Sequence, residues 1–497
     1  MEVDWLKRWA HLSPQAVALE EGESREQLTY AELFSLSLRG AELLHSKYCI
    51  RKGDRVAVFS QNRIEYVALF FAVQRLGAIL VPINFRLTPR ETGQILADCA
   101  PQVLIFEKEF KEGIMALNTG LSPETVEFES FWSELKSSTG MSADFFESGF
   151  ADPCMIIFTA GTTGFPKGAI ITPQMMFWNS VNTTMRLNIT DQDVTVIFLP
   201  MFHTSGWHVL TTPFLHRGAK VIVLKKFDPD LILKLCQEEK VSVLFGVPTT
   251  MDRLAHAGQF KQTDLSNIRY AIVGGEPMPL ELIKIWQEEK RIPIRQGYGL
   301  TEFGPGVFSL SERDSVRKIG SIGFPNFYVD ARVVDAHGQD VDRDAIGELI
   351  LKGPSCSPGY WNHPEATNET IKDGWFFTGD LVRQDGEGYF YVVGRKKDMY
   401  KSGGENVYPA EVEQVIHKLS GVREVAVVGV PDEKWGEVGR AFLSLEPGLY
   451  LTEYDVLQHC QANLAKFKIP QKIVFLEALP KSDSGKILKR QLQEMTF

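Results

Sequence analysis

The sequence predicts a multidomain α/β protein with three parts: a large N-terminal body of helix-flanked sheets, a small barrel-like subdomain and a small C-terminal α+β lid. First, apolar runs typical of buried strands alternate with helical patterns in the body. Second, two β-rich stretches at residues 347–352 and 386–393 look antiparallel. Third, residues 394–398 form a charged, turn-prone segment, and helices and strands are mixed after it.

The elements of the body follow one another in the order expected for parallel sheets covered by helices. Buried strands are predicted at residues 55–59, 78–82, 103–106, 195–199, 220–224, 241–245 and 270–273, and helices at 64–76 and 90–99. In the lid we expect a helix from Pro409, because proline is favoured in a first helical turn, then a strand at 424–430, a helix at 453–464 and a strand at 472–475. We therefore place the body at residues 1–396 and the lid at residues 397–497.

The composition excludes several classes of function. The chain of 497 residues has 53 lysines and arginines against 63 aspartates and glutamates, a formal net charge of −10, whereas nucleic-acid binding relies on a basic surface. Its six cysteines have no CxxC spacing, so we expect free thiols in a reducing compartment and no zinc site. The N-terminus has no secretory pattern, and polar residues interrupt the longest apolar stretch, at 66–85. We expect a cytoplasmic protein without a transmembrane segment.

The strongest motif lies at residues 158–168, Phe-Thr-Ala-Gly-Thr-Thr-Gly-Phe-Pro-Lys-Gly, directly after a strand-like run. Its glycines let backbone N–H groups approach anionic oxygens, its threonine hydroxyls can donate hydrogen bonds, and Lys167 can neutralise charge. The motif is not a Walker A loop, because Pro166 stands where that loop has glycine before its lysine. The composition of the segment points to a polyphosphate ligand.

This segment resembles the phosphate loop of the adenylate-forming enzymes, the superfamily of acyl-CoA synthetases, luciferases and peptide-synthetase adenylation domains. The family usually has serine where this chain has Ala160, a change that removes one hydroxyl donor. Further segments resemble the family's motifs in their usual order: Phe202-His203-Thr204, Gly274 to Pro277, Gly297 to Glu302, Trp375 to Asp380, Gly394 to Glu413, and Lys481 to Lys486.

The resemblance implies that the chain uses ATP, Mg²⁺ and coenzyme A. The residues implied to bind ATP or AMP are Thr159, Gly161, Thr162, Thr163, Gly164, Lys167, Gly274, Gly275, Glu276, Pro277, Tyr298, Gly299, Thr301, Asp380 and Arg395. Within this set, Tyr298 offers a flat face to adenine, and Asp380 and Arg395 approach the ribose. Glu302 is a hard oxygen ligand suited to Mg²⁺.

The residues implied to be catalytic are Lys486, Thr301, Glu302 and His203. Lys486 holds the substrate carboxylate and the α-phosphate together, which is positioning combined with charge stabilisation of the transition state. His203 is placed at the acyl carboxylate. No nucleophilic side chain is required.

The resemblance also implies a mobile lid that rotates between two half-reactions. The hinge is Lys397, two residues after Arg395, where the family usually has aspartate or lysine. The residues expected to receive coenzyme A and its pantetheine arm are Lys401, Ser402, Gly403, Gly404 and Trp435.

The acyl pocket is expected to be lined by apolar and small residues: His203, Trp207, Val247, Gly274, Phe303 and Gly304. Trp207 stands at a position where an aromatic residue of fatty acyl-CoA synthetases resembles a gate to the acyl tunnel. Amino-acid substrates are disfavoured, because Phe202 is followed by His203 and not by the aspartate that binds the substrate amine in peptide-synthetase domains.

We therefore expect an acyl-CoA synthetase for an apolar acid, most like bacterial ligases of medium- or long-chain fatty acids through residues 401–411. An aryl or o-succinylbenzoate CoA ligase, an enzyme that passes the acyl group to a carrier protein, and a non-catalytic ATP-binding relative are the alternatives. Retention of Lys167, Glu302, Asp380 and Lys486 speaks against the last. Peripheral membrane contact and the choice between monomer and homodimer stay open.

Overall fold

The chain folds into two compact units. The computed structural model describes residues 3–117, 123–138, 146–159, 166–481 and 487–495. The first unit comprises Met1–Ala331 and Leu351–Phe376, and the second comprises Arg332–Ile350 and Phe377–Phe497. The predicted multidomain α/β fold is confirmed, whereas the boundary between residues 396 and 397 stays a prediction.

The helices and strands alternate along much of the described chain. The α-helices are α1 (Trp5–Leu12), α2 (Tyr30–Ser46), α3 (Ile64–Arg75), α4 (Pro89–Cys99), α5 (Lys111–Met115), α6 (Phe128–Ser137), α7 (Pro173–Leu187), α8 (Thr204–Trp207), α9 (Thr211–Arg217), α10 (Pro229–Glu238), α11 (Pro248–Ala255), α12 (Leu280–Lys284), α13 (Pro364–Thr370), α14 (Pro409–His417), α15 (Glu453–Asn463) and α16 (Lys489–Glu494). Short 3₁₀ segments lie at Lys108–Phe110, Thr301–Phe303 and Lys466–Lys468, and Ile285–Glu289 is π-helical.

The strands are β1 (Val17–Glu21), β2 (Gln27–Thr29), β3 (Arg55–Phe59), β4 (Ile79–Pro82), β5 (Val103–Phe106), β6 (Glu124–Glu127), β7 (Met155–Thr159), β8 (Lys167–Ile171), β9 (Val194–Ile197), β10 (Lys220–Val223), β11 (Val243–Gly246), β12 (Tyr270–Val273), β13 (Ile294–Tyr298), β14 (Phe308–Ser309), β15 (Ser321–Pro325), β16 (Asp330–Val334), β17 (Ile346–Lys352), β18 (Ile371–Lys372), β19 (Trp375–Gln384), β20 (Phe390–Arg395), β21 (Tyr400–Ser402), β22 (Glu405–Val407), β23 (Val422–Asp432), β24 (Gly436–Leu445) and β25 (Lys472–Phe475).

One sheet of the first unit has the order β6-β5-β3-β4-β7-β8. Its strands pair in parallel up to β7, and β8 then pairs antiparallel with β7. Helix α3 is buried along its whole length. It accommodates polar residues because they are paired: Glu65 with Arg63, and Arg75 with Asp4, whose atoms Nη2 and Oδ2 lie 2.6 Å apart.

Two further sheets of the first unit bring loop residues to common edges. Strands β2, β1, β10 and β9 form one sheet in that order, and β11, β12 and β13 are consecutive parallel strands of another. The segments that begin at Val247, Gly274 and Gly299 follow the carboxyl ends of β11, β12 and β13. Ligands of open α/β sheets commonly bind outside the carboxyl ends of the strands, so this edge is where a site is expected.

The second unit contains two groups of strands. Strands β20, β19, β17 and β16 are neighbours in that order, and β22, β21, β24 and β23 form a second sheet to which β25 adds in parallel beside β24. The buried Tyr400 packs against Gly429 and Gly439, where a Cβ atom would lie only 2.4 Å and 2.3 Å from tyrosine atoms. The predicted mixture of helices and strands in the lid is confirmed.

Two expectations about the chain as a whole can be compared with the structure. Within the described ranges, no helix is both long and apolar enough to span a membrane. All six cysteines are free thiols, as the spacing predicts.

The buried His208 and the half-buried His216 predict a loss of stability in mild acid. Burial lowers the pKa of His208 to about 3 and that of His216 to about 4. Because the unfolded chain binds these protons near pH 6.5, it holds more protons than the folded chain below that pH, and the free energy of unfolding falls as the pH falls. We expect a loss of about 2 kcal/mol for each histidine between about pH 7 and about pH 5, measured by urea unfolding.

The His208→Gln variant should lose part of this pH dependence. His11→Gln is the matched control, since its exposed ring is solvated in the folded and the unfolded chain. An unchanged dependence in His208→Gln would contradict the assignment.

Candidate active site

The predicted phosphate loop connects two antiparallel strands. Thr159 ends β7 and Lys167 begins β8, and the two residues are cross-strand partners. The hairpin therefore fixes both ends of the loop. The predicted loop residues Gly161, Thr162, Thr163 and Gly164 lie outside the described residues.

One carboxylate oxygen joins this hairpin to two distant segments. Thr159 Oγ1 donates to Glu302 Oε1 over 3.3 Å, and Tyr360 Oη donates to the same oxygen over 3.0 Å. The ring centroid of Tyr360 lies 5.8 Å from Lys167 Nζ. The fold thus brings together three predicted residues, Thr159, Lys167 and Glu302, and adds a tyrosine that no motif contained.

Tyr360 is placed by backbone pairing with β8. Ile170 N donates to Gly359 O over 3.0 Å, and Trp361 N donates to Gly168 O over 2.8 Å. Tyr360 and Ala169 form an antiparallel bridge between these bonds. In the sequence, Gly359 and Tyr360 look like an ordinary turn, so local pattern gives no signal for this contact.

The predicted adenine side consists of two neighbouring strand ends. Gly274 to Pro277 follow β12, and Tyr298 ends β13. Gly275 has a φ of +85°, a conformation that favours glycine. Tyr298 is half-buried, and its ring meets that of Phe308 edge-on, with centroids 5.7 Å apart.

Gln296 holds this turn in place and was missed by sequence reasoning. Its buried Nε2 donates to Val273 O over 3.1 Å and to Glu276 O over 3.0 Å, and its Oε1 accepts from Met278 N over 3.1 Å. The only available signal was its position two residues before Tyr298.

Gly299 is required by close packing in addition to any ligand contact. A Cβ atom at this position would lie 1.9 Å from Pro305 O, so any other residue would displace the loop. That loop carries the buried Thr301 and the half-buried Glu302 in a 3₁₀ turn.

The predicted carboxylate motif caps a short helix. His203 precedes α8, and its ring centroid lies 5.5 Å from that of the buried Phe202. The segment before it is held by Asn62, whose Oδ1 accepts from Met201 N over 2.8 Å and whose Nδ2 donates to Leu199 O over 2.9 Å.

Trp207 is fully buried in the core. Its ring packs edge-on against Tyr66, with centroids 5.5 Å apart, and against Phe70 at 5.4 Å, and its Nε1 donates to Met201 O. Truncation of a buried tryptophan costs about 3–5 kcal/mol, so Trp207→Ala would test stability before it tested a gate. The gate role stays a prediction.

The other predicted pocket residues fall into two groups. A Cβ atom added at Gly275 would lie 3.6 Å from Val247 Cγ1, so Val247 and the Gly274–Gly275 turn are adjacent. Phe303 is fully buried, with its ring centroid 6.4 Å from that of Phe376, and Gly304 packs against α7 with a φ of +64°. Their assignment to an acyl pocket stays a prediction.

In the second unit, the predicted ribose residues form a cross-strand ion pair. Asp380 on β19 is opposite Arg395 on β20, and Arg395 Nε lies 2.6 Å from Asp380 Oδ1. Asp380 is 4% exposed, whereas Arg395 is exposed. The arginine thereby helps to fix the orientation of a buried carboxylate.

The predicted hinge lies in a turn beside a second ion pair. Lys397 is exposed, and its neighbour Lys396 places Nζ 2.8 Å from Oε2 of the buried Glu348. Glu348 Oε1 also accepts from Gly379 N over 3.2 Å. Glu348 therefore ties the turn before the hinge to the motif that carries Asp380, a link that no sequence motif indicated.

The predicted pantetheine residues form a tight turn against a tryptophan. Lys401 and Ser402 end β21, and Gly403 and Gly404 turn into β22 with φ values of +60° and +90°. Gly403 N donates to Trp435 O over 2.9 Å, and a Cβ at Gly403 would lie 3.0 Å from the indole. Trp435 is 40% exposed.

Lys486 lies outside the described residues, but the ends of its loop are described. Lys481 and Ile487 form an antiparallel bridge, and Leu488 N donates to Pro480 O over 2.8 Å. Ion pairs of Lys481 with Glu424 on β23 and of Lys489 with Glu413 on α14 fasten both ends to the second unit. The loop is therefore closed at its base.

The described side chains fit a magnesium ion bound partly by the substrate better than a metal ion held by protein ligands alone. Among the described residues, no group of three or more histidine, cysteine, aspartate or glutamate side chains could hold a metal ion. Mg²⁺ is commonly bound through one or two carboxylates together with substrate phosphates and water. The single carboxylate of Glu302, beside the phosphate hairpin, fits that mode.

Family models match most of the chain. The model of the AMP-binding enzyme family matches residues 6–361, and the model of the AMP-binding enzyme C-terminal domain matches residues 411–486.

Curated relatives are similar over nearly their full length. A feruloyl-CoA synthase of Amycolatopsis sp. is 38% identical, with 98% of each chain covered. The long-chain-fatty-acid–CoA ligase FadD13 of Mycobacterium tuberculosis is 37% identical, with 99% of this chain and 98% of the relative covered.

Solved structures have the same fold. ATP-bound MatB from Rhodopseudomonas palustris has a TM-score of 0.92 at 32% identity and covers 99% of both chains. The o-succinylbenzoate CoA synthetase MenE from Bacillus subtilis, in complex with the acyl-adenylate intermediate OSB-AMP, has a TM-score of 0.89 at 32% identity, with 99% of this chain and 98% of that chain covered.

These matches confirm the expected class of adenylate-forming acyl-CoA synthetases and, with it, the expected use of ATP, Mg²⁺ and coenzyme A. The chain belongs to the AMP-binding enzyme family.

Proposed function

We propose that this chain is an ATP-dependent acid–thiol ligase that activates an apolar carboxylic acid as acyl-AMP and transfers the acyl group to coenzyme A. The observation that carries the proposal is the contact of Thr159 and Tyr360 with Glu302 beside Lys167. This contact brings two hydroxyl groups, a carboxylate and a cation to the base of a glycine-rich loop, which supports the proposal. These groups suit a triphosphate.

The first step joins two anions, a carboxylate and a triphosphate, which repel each other. In our proposal a carboxylate oxygen attacks the α-phosphorus, the bond to the bridging oxygen breaks, and pyrophosphate leaves with the electron pair. Lys167 neutralises phosphate charge, and Lys486 holds the attacking carboxylate and the α-phosphate together. Glu302 would hold Mg²⁺, which supplies further neutralisation when bound.

Separate groups of residues are proposed to position the adenine and the ribose of the nucleotide. Tyr298 and the Gly274–Pro277 turn, held by Gln296, present a flat surface for adenine. In the second unit, Asp380, oriented by Arg395, would accept the ribose hydroxyls. His203 would lie at the acid carboxylate.

For the second step we propose that residues 397–497 rotate about Lys397. The thiol sulfur of coenzyme A then attacks the carbonyl carbon, and the carbon–oxygen bond breaks as AMP leaves. The Gly403–Gly404 turn presents no side chains, so it leaves room for a thin pantetheine arm, and Trp435 packs behind it. Lys401 is exposed beside this turn.

The acid is proposed to be a medium- or long-chain fatty acid. Val247, Phe303 and the glycines around them are apolar or small, which suits an uncharged tail. An aryl acid is the second candidate, because a feruloyl-CoA synthase is 38% identical to this chain. We also propose a cytoplasmic location, in keeping with six free cysteines, and action without nucleic acid.

A panel of acids tests the proposal. Pyrophosphate release is measured with ATP, Mg²⁺ and acids from acetate to palmitate, with benzoate, ferulate and o-succinylbenzoate included, each with and without coenzyme A. We expect turnover with an apolar fatty acid, and CoA thioester formation when the thiol is present. A preference for an aryl acid would move the proposal to the second candidate, and no release with any acid would overturn it.

Lys486→Ala should separate the two half-reactions. We expect pyrophosphate release to fall by at least about 100-fold, since a charge that acts in the transition state is lost, while thioester formation from supplied acyl-AMP stays within a few-fold of wild type. Lys261→Ala, which removes an exposed lysine outside every predicted motif, is the control. Equal loss of both activities in Lys486→Ala would contradict the division of roles.

Tyr360→Phe should weaken the metal site without disturbing the fold. Loss of a hydrogen bond to the Glu302 carboxylate is expected to raise the Mg²⁺ concentration needed for half-maximal rate about tenfold. Mn²⁺ binding to the enzyme–ATP complex, followed by electron paramagnetic resonance, gives a readout independent of turnover.

The matched control for that variant is Tyr270→Phe. It removes a buried hydrogen bond of 2.5 Å from Tyr270 Oη to Leu187 O, which lies outside the predicted motifs. If both variants changed the Mg²⁺ requirement alike, or neither did, Tyr360 would have no specific role at Glu302.

A further inference from the structure

Helix α7 presents an unusual polar face to the protein interior. It follows the phosphate hairpin directly, and its buried residues include Asn179, Asn182 and Thr183. Buried carboxamides are nearly always hydrogen-bonded, so their partners indicate what such a face holds in place. The partners of Asn179 lie on two segments that the proposed function places at the reacting acid.

The Asn179 carboxamide bridges those two segments. Its Nδ2 donates to His208 O over 2.7 Å, and its Oδ1 accepts from Gly306 N over 2.8 Å. The side chain is only 1% exposed, so water does not compete for either bond. We call residues 203–208, which contain α8, the histidine segment, and residues 303–306 the glycine loop.

The two glycines of the glycine loop fit closely against α7. A Cβ added at Gly304 would lie 3.0 Å from Asn179 Cβ, and one added at Gly306 would lie 2.5 Å from Thr183 Oγ1. Gly306 O accepts from Asn326 Nδ2 over 2.9 Å, so side-chain amides hold both backbone polar groups of Gly306. The glycine part of the loop is thus positioned by α7 and Asn326, while the fully buried Phe303 anchors its start.

The two bonded segments have different roles in the proposed reaction. The histidine segment begins with His203, at the acid carboxylate, and ends at His208, one turn later. The glycine loop follows Glu302 directly and contains Gly304, a predicted wall of the acyl pocket. A single side chain therefore links the two sides of the space that the acid would occupy.

We infer that Asn179 is a positioning residue that sets the separation of the histidine segment and the glycine loop, and thereby selects the acid by the size of its acyl chain. Pocket width matters because one methylene group in an apolar pocket changes kcat/KM by roughly 10- to 200-fold. This role presupposes the proposed function, since it assigns the acyl pocket to these two segments.

Two variants of Asn179 probe the bridge. Asn179→Leu keeps a similar volume and removes both hydrogen bonds. Asn179→Asp keeps the acceptor for Gly306 N and removes the donor to His208 O. Ser180→Ala is the matched control, because the neighbouring Ser180 Oγ bonds to His216 Nδ1 at 2.8 Å, a half-buried partner outside both segments.

The measured quantity is the ratio of kcat/KM for two acids of different length, taken in competition. This ratio does not depend on the amount of folded enzyme, so a loss of stability alone leaves it unchanged. We expect Asn179→Leu to shift the ratio by at least about fivefold and Asn179→Asp by less, with the KM for ATP within about twofold of wild type. Ser180→Ala should leave the ratio unchanged.

A binding measurement separates failure of this inference from failure of the proposed function. The dissociation constants of two acyl-sulfamoyl adenosines, with a short and a long acyl chain, are measured by calorimetry for each variant. An unchanged ratio in Asn179→Leu, or an equal shift in Ser180→Ala, would overturn the role of Asn179. Wild-type enzyme that releases no pyrophosphate with any acid would overturn the proposed function alone.

Discussion

The site of the first unit depends on one carboxylate oxygen, Glu302 Oε1. It accepts hydrogen bonds from Thr159, at the end of β7, and from Tyr360, whose segment pairs with β8. These residues come from three separate regions of the chain, so the contact exists only in the folded protein. It holds a carboxylate at the base of a loop rich in glycine and threonine, an arrangement that suits a metal ion bound together with a ligand's own oxygens.

The parallel strands explain why several predicted site residues lie together at their ends. Val247, Gly274 and Gly299 follow three neighbouring strands, and close packing at Gly299 leaves no room for a side chain. Buried side-chain amides that hydrogen-bond to the backbone hold the loops around the predicted site in place. Gln296 fixes the Gly274 turn, Asn62 the segment before His203, and Asn179 the glycine loop. Such amides add no chemistry, but they remove the freedom of the residues that do.

The sequence predicts what is local and misses what is paired at a distance. The strand at residues 55–59 is a local pattern, and the structure has this strand. The motifs that contain Thr159 and Tyr298 are also local patterns, and both residues lie at strand ends. Tyr360, Gln296 and Asn179 act through partners elsewhere in the chain, and no spacing rule encodes those contacts. Trp207 is a further example of a contact that the sequence does not encode. Its spacing from His203 is the same whether the ring faces a pocket or packs against Tyr66.

In the proposed reaction the acid is activated on the α-phosphorus, and an isotope label reveals whether this happens. The enzyme is supplied with a carboxylic acid labelled with ¹⁸O in both carboxylate oxygens, together with ATP, Mg²⁺ and coenzyme A, and the products are analysed by mass spectrometry. Acyl-adenylate chemistry predicts one ¹⁸O atom in AMP and none in pyrophosphate. Label in inorganic phosphate with formation of ADP, or unlabelled AMP, would contradict the account.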